Sequence, residues 1–95
     1  MGTTITYEQL AHALELRGAG RIGRVGALLE SFLHRDLADG RPPAAFVVVS
    51  RRTGLPAAPL LAEARRLGLD RAGESDGRFV SRVRADLAAP PDQRR

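Results

Sequence analysis

Ninety-five residues, 43% of them hydrophobic, allow one small domain whose burial alone stabilises it only marginally. The fifteen basic residues are all arginine and outnumber eleven acids, giving a net charge of +4 and a pI near 11.2, a balance that favours polyanions such as nucleic acid. Without cysteine there is no disulfide, thiolate metal site or cysteine nucleophile, and with neither a membrane-length apolar run nor a charged-then-apolar leader, a cytoplasmic chain with no membrane partner is expected.

Thr6 opens the first predicted element: its hydroxyl can cap a helix, Gln9 three residues on can return the bond, and Ile5 can staple onto Leu10. Tyr7, Leu10, Ala11 and Leu14 fall on one helical face, which predicts a helix from Thr6 to about Leu16. Gly18 and Gly20 stop it and make a turn, because glycine takes positive φ without strain. A second helix is expected over Arg21 to Ala38, with Ile22, Val25, Leu29, Phe32 and Leu33 as its core stripe, ended by Asp39-Gly40 and Pro42-Pro43. The β-branched run Phe46-Val47-Val48-Val49 is the only convincing strand. Arg51-Arg52-Thr53-Gly54 follows as a basic turn, with Leu55 opening the return strand of a short wing. A third helix starts near Pro59 and carries Leu60, Leu61, Ala64 and Leu67 up to Gly68. After a polar loop, Ser75 or Asp76 caps a fourth helix bearing Phe79, Val80, Val83 and Leu87. The expected fold is α/β but mostly helical, a winged helix-turn-helix of three to four helices with a short β-wing. One domain over 1–88 is followed by a disordered tail over 89–95.

No catalytic constellation emerges. Ser31, Ser50, Ser75 and Ser81 lie in no nucleophile elbow, and Glu8, Glu15 and Glu30 read as solvated helix faces. His12 and His34 fall on different helices with no carboxylate at ligand spacing, so no metal site is expected. Gly18-Ala19-Gly20-Arg21-Ile22-Gly23 spells the dinucleotide fingerprint, but a capped helix rather than a strand leads into it. Gly20, Gly23 and Gly26 instead suit close approach of another backbone or of DNA. The expectation is therefore a protein that is not an enzyme and holds no cofactor. Its arginines carry the positive case. Arg17, Arg21 and Arg24 crowd the turn before the second helix, where bare N–H groups at a helix start suit phosphate. Arg51 and Arg52 crowd the strand-end turn, and Arg65-Arg66 fall on the third helix. In a winged helix-turn-helix the first two clusters share a side, helix in the groove and wing on the backbone. The alternative is a general solubilising surface paired with the acids.

Ile5-Thr6-Tyr7-Glu8-Gln9-Leu10-Ala11 closely resembles the Ile/Val-Ser/Thr-Tyr-x-x-Leu-Ala opening of the winged-helix domain of alkylguanine-DNA alkyltransferases and alkyltransferase-like proteins. Gly20-Arg21-Ile22-Gly23 looks like that family's Ala-Arg-x-Val-Gly, one residue compressed. Pro43-Ala44-Ala45-Phe46-Val47-Val48, with Ser50 and Gly54 beyond it, is similar to its Pro-Cys-His-Arg-Val-Val and Ser-x-x-Gly turn, so the likeness covers roughly residues 4–68. The resemblance implies a helix-turn-helix entering the minor groove, with Arg21 filling the gap left by a flipped nucleotide and Tyr7 pressing on the 3′ phosphate. Ala44 stands where the alkyl-accepting cysteine would be, which removes alkyl transfer, and Ala45 and Phe46 stand for the neighbouring His-Arg. No asparagine is present to supply the family's hinge. The expected function is non-enzymatic binding of duplex DNA through Tyr7, Arg17, Arg21, Arg24, Arg51 and Arg52. The alternative is a protein-interaction or homodimerisation module that uses the apolar edge of Phe46 to Val49.

Overall fold

A computed structural model describes residues 4–89. Its elements are β1 (Ile5–Thr6), α1 (Tyr7–Ala13), α2 (Arg21–Ala38), a 3-10 turn (Ala44–Val47), β2 (Val48–Val49), α3 (Ala58–Arg66) and α4 (Asp76–Ala88). The fold is mostly helical, with a two-stranded parallel sheet in which Ile5 pairs with Val48 and Thr6 with Val49. Parallel strands need a long crossover, which α1 and α2 supply here. Of the expected tail over 89–95, Ala89 is the C-cap of α4 and residues 90–95 lie outside the described residues.

Thr6 does two jobs. It is the last residue of β1 and the N-cap of α1, and the capping box forms in full: Gln9 N–H donates to Thr6 Oγ1 at 3.0 Å, and Thr6 N–H donates to Gln9 Oε1 at 2.9 Å. The helix stops at Ala13, short of the expected Leu16. Glu15 takes a left-handed φ of 59°, so that its N–H reaches His12 O and the Leu16 N–H reaches Ala11 O, folding half-buried Leu16 back onto the core. The same closure ends α2 at Gly40 and α3 at Gly68, where glycine takes the left-handed position at no steric cost. Glu15→Gly is therefore expected to raise stability by about 1 kcal/mol, measured by urea denaturation.

α2 matches its expected bounds, and Val25, Leu29 and Leu33 form its buried stripe. Ile22 and Phe32, expected in that stripe, are 36% and 39% exposed. Ile22 sits in the first turn, where it faces a cavity, and Phe32 lies at the stripe's edge beneath the Arg35 guanidinium, 5.8 Å from the ring centroid. The core joins these residues to Tyr7, Ala11, Phe46, Val48, Leu60, Ala64, Phe79, Val80 and Val83. At its centre Phe46 and Phe79 meet edge to face at 5.3 Å.

The expected strand over residues 46–49 is half 3-10 turn: only Val48 and Val49 are extended, and β1, not a wing, is their partner. Phe46, Val48 and Val49 are all buried, so the apolar edge expected for a partner strand is covered. The wing is a closed turn without a return strand among the described residues. Ser50 N–H donates to Leu55 O and Gly54 N–H to Ser50 O, each at 2.8 Å, with Gly54 at a φ of 71°. Arg84 of α4 anchors this turn through Phe46 O at 3.2 Å and Gly54 O at 3.4 Å.

Ser75, rather than Asp76, caps α4, accepting from the Arg78 N–H. Two arginines hold the α3–α4 loop: Arg65 reaches Asp70 and Asp76, and Arg82 forks onto Glu74 at 2.8 and 2.9 Å. The Arg82 fork, with the Arg71 N–H, holds the Glu74 carboxyl down at about 2. A depressed folded-state value means that this pair stabilises the fold fully above the ordinary carboxyl value and progressively less as pH falls toward 2. The thermal midpoint of the protein should drop through that window, and Glu74→Gln should start lower and vary less across it.

Candidate nucleic-acid interface

Which arginines are already occupied decides which remain for a ligand. Arg41 pairs with Asp36 and Asp39, Arg65 with Asp70 and Asp76, Arg66 with Glu63, and Arg82 with Glu74. The Arg65-Arg66 pair read from the sequence as a basic cluster is thus consumed inside the molecule. Arg17, Arg21, Arg24, Arg51 and Arg52 are exposed and form no ion pair among the described residues, a property shared by Arg35 on α2, Arg71 in the α3–α4 loop and Arg78 at the start of α4.

The α1–α2 turn concentrates three of them. Arg24 donates to the Arg17 carbonyl at 2.6 Å across seven residues, and Arg21 to the Gly18 carbonyl at 3.5 Å. These bonds use carbonyl acceptors and leave the charges uncompensated. Gly20 caps α2 with a left-handed φ of 83° and no side-chain bond; the Arg21 N–H donates to the Gly18 carbonyl at 3.4 Å, and the Ile22 and Gly23 N–H groups of this 18-residue helix have no side-chain cap.

A cavity of about 570 Å³ lies between α1, the start of α2 and the start of α3, and none of the five arginines lines it. Ile22, Gly23 and Gly26 line it from α2, flanked in sequence by Arg21 and Arg24, and Ser50 lines it immediately before Arg51. A Cβ placed on Gly23 or Gly26 would meet nothing within 4 Å. No backbone packs against these glycines among the described residues; they leave bare helix facing the cavity. Glu8 and Glu30 add carboxylates to its wall.

Tyr7 lines the cavity too, but it is a core residue, 5% exposed, whose hydroxyl accepts the Ala57 N–H at 3.1 Å. Burial pushes its pKa up, against the smaller downward effect of that hydrogen bond. The phenol keeps its own proton to donate at the cavity wall; it does not project onto an open face. Ala44 is exposed at the start of the 3-10 turn and does not line the cavity, and Ala45 and Phe46 are buried apolar residues.

The sequence reading set His34 apart from any carboxylate. The structure brings it within 2.9 Å of Glu63 on α3, with Glu30 one helical turn away on α2. Glu30 could have been found, since it precedes His34 by four residues; Glu63 arrives only through the α2–α3 packing. Compared with known proteins, the chain matches no family model, no curated protein and no solved structure.

Proposed function

We propose that this protein is a non-enzymatic duplex-DNA-binding domain that acts as a winged helix-turn-helix and is a degenerate relative of the alkyltransferase-like proteins. The observation that carries the reading is the segregation of its arginines: Arg17, Arg21, Arg24, Arg51 and Arg52 form no ion pair among the described residues, while Arg65 and Arg66 on α3 and Arg82 on α4 are paired internally. Unpaired, exposed guanidinium groups are free to meet phosphates, and each phosphate neutralised releases counterions. Arg21 and Arg24 contact the groove or its phosphates, Arg17 supports them, and Arg51 and Arg52 hold backbone from the second turn. Tyr7 serves as the wall of the cavity that the entering nucleotide meets.

The bare glycines of α2 support the same reading. Glycine in a helix interior costs about 1 kcal/mol relative to alanine, and no neighbour within the described residues requires it here. Gly23→Ala and Gly26→Ala should each stabilise the fold by up to about 1 kcal/mol while weakening DNA binding. Urea denaturation and duplex titration on the same samples check both halves.

Fluorescence anisotropy of a labelled duplex over a salt series tests the function. With four phosphates neutralised, log K should fall against log salt with a slope of roughly −4. A tighter complex with an alkylguanine-containing duplex would extend the family's lesion recognition to this chain. No binding to either duplex at low salt would sink the reading.

A second reading, a protein-interaction module, draws on Leu28 and Phe32, which expose 36% and 39% of their surface one turn apart on α2. A saturable protein complex insensitive to salt, without DNA binding, would favour it.

A further inference from the structure

We propose that Glu30, His34 and Glu63 form a binding site for a first-row divalent transition metal, such as zinc, that clips α2 to α3. Glu30 and His34, four residues apart, share one face of α2, and Glu63 meets them from α3. One donor atom from each side chain lies within 4.8 Å of the other two. Around a tetrahedral zinc, donors at about 2.0–2.2 Å from the ion stand roughly 3.4 Å from one another, so small side-chain rotations complete the set.

The donors also select the class of ion. An imidazole nitrogen with two carboxylate oxygens suits zinc and its neighbours; magnesium and calcium prefer oxygen alone, and copper(I) prefers sulfur. Two carboxylates outweigh the single guanidinium beside them, that of Arg66, which leaves a net negative site for a dication. Arg66 itself grips Glu63 through Nε to Oε1 at 2.8 Å and Nη2 to Oε2 at 2.5 Å. Such an outer partner fixes the carboxylate in one orientation, as the outer shells of metal sites do. His34 Nε2 lies 2.9 Å from Glu63 Oε2, which sets the two donor atoms side by side. A metal bound through Nε2 leaves the ring's one proton on Nδ1, so the imidazole binds as a neutral ligand. The His34 side chain is 47% exposed, which gives the ion a route in and leaves a coordination position for water. Glu30 also lines the cavity beside α2, but the site stands on its own geometry, whether or not DNA enters that cavity.

Isothermal titration of the full chain with zinc chloride, without DNA, tests the site. The expected result is saturable one-to-one binding, weakened more than about tenfold in both His34→Ala and Glu30→Gln, since even outer-partner changes weaken metal sites by about that much. His12→Ala should bind as the wild type does. At a hundredfold excess over Kd, the thermal midpoint should rise by on the order of 10 °C in the wild type and not in His34→Ala. Wild-type affinity no greater than that of His34→Ala, equal loss in His12→Ala, or equal affinity for magnesium would overturn the proposal.

Discussion

Phe79→Ala is expected to remove most of the protein's stability, by about 3–5 kcal/mol. Phe79 is fully buried, stands edge-on to Phe46 at 5.3 Å, and lies beneath the Arg65 and Arg82 guanidinium groups at 5.2 and 5.7 Å. Truncation therefore opens a cavity at the core centre, ends the aromatic pair, and takes away the ring beneath the two arginines that hold the α3–α4 loop. Small domains have only about 5–15 kcal/mol in total, so the melting midpoint should fall by more than about 15 °C. Phe79→Leu, which keeps most of the volume, should lose far less. Circular dichroism melts of the two variants separate these outcomes, and a loss under about 1 kcal/mol in Phe79→Ala would mean that the core is not centred on this pair.

The second large effect concerns binding. Arg21→Ala/Arg24→Ala should leave the fold intact, because both side chains are exposed and bond only to carbonyls of the neighbouring turn. The duplex complex, by contrast, should weaken steeply at low salt. Each guanidinium that neutralises a phosphate contributes about 0.9 to the salt slope, so the double variant should bind with a slope shallower by roughly 2. Arg51→Ala/Arg52→Ala should act in the same sense from the second turn. If the α1–α2 variant alone lost affinity, contact would be confined to that turn.

Where the chain marks its own boundaries, the fold was legible. Thr6 with Gln9, Asp39-Gly40 and Ser75 set helix ends that the hydrogen bonds reproduce, and all four helices stand where apolar spacing put them. The early end of α1 escaped, because the left-handed position fell on Glu15 rather than on glycine. The parallel pairing escaped as well. Two-residue strands are too short for a period-2 signal, and Ile5-Thr6 carries helix-start chemistry that masks its extended backbone.

For the site, residue type located the basic clusters but could not say which arginines were free. Arg65 finds Asp76 eleven residues away and Arg82 finds Glu74 eight away, pairings made only when the α3–α4 loop folds back between them. The cavity likewise exists only in the folded chain, where Gly23 and Ser50 share a wall.

The most direct test compares variants that lose the same charge from different places. Arg21→Ala/Arg24→Ala and Arg41→Ala/Arg66→Ala each remove two positive charges, the first pair without acidic partners and the second internally paired. Anisotropy titrations of one labelled duplex over one salt series should show the first variant losing affinity and salt slope while the second binds nearly as the wild type does. Equal losses would mean that net charge alone governs association and would contradict a defined interface around the cavity.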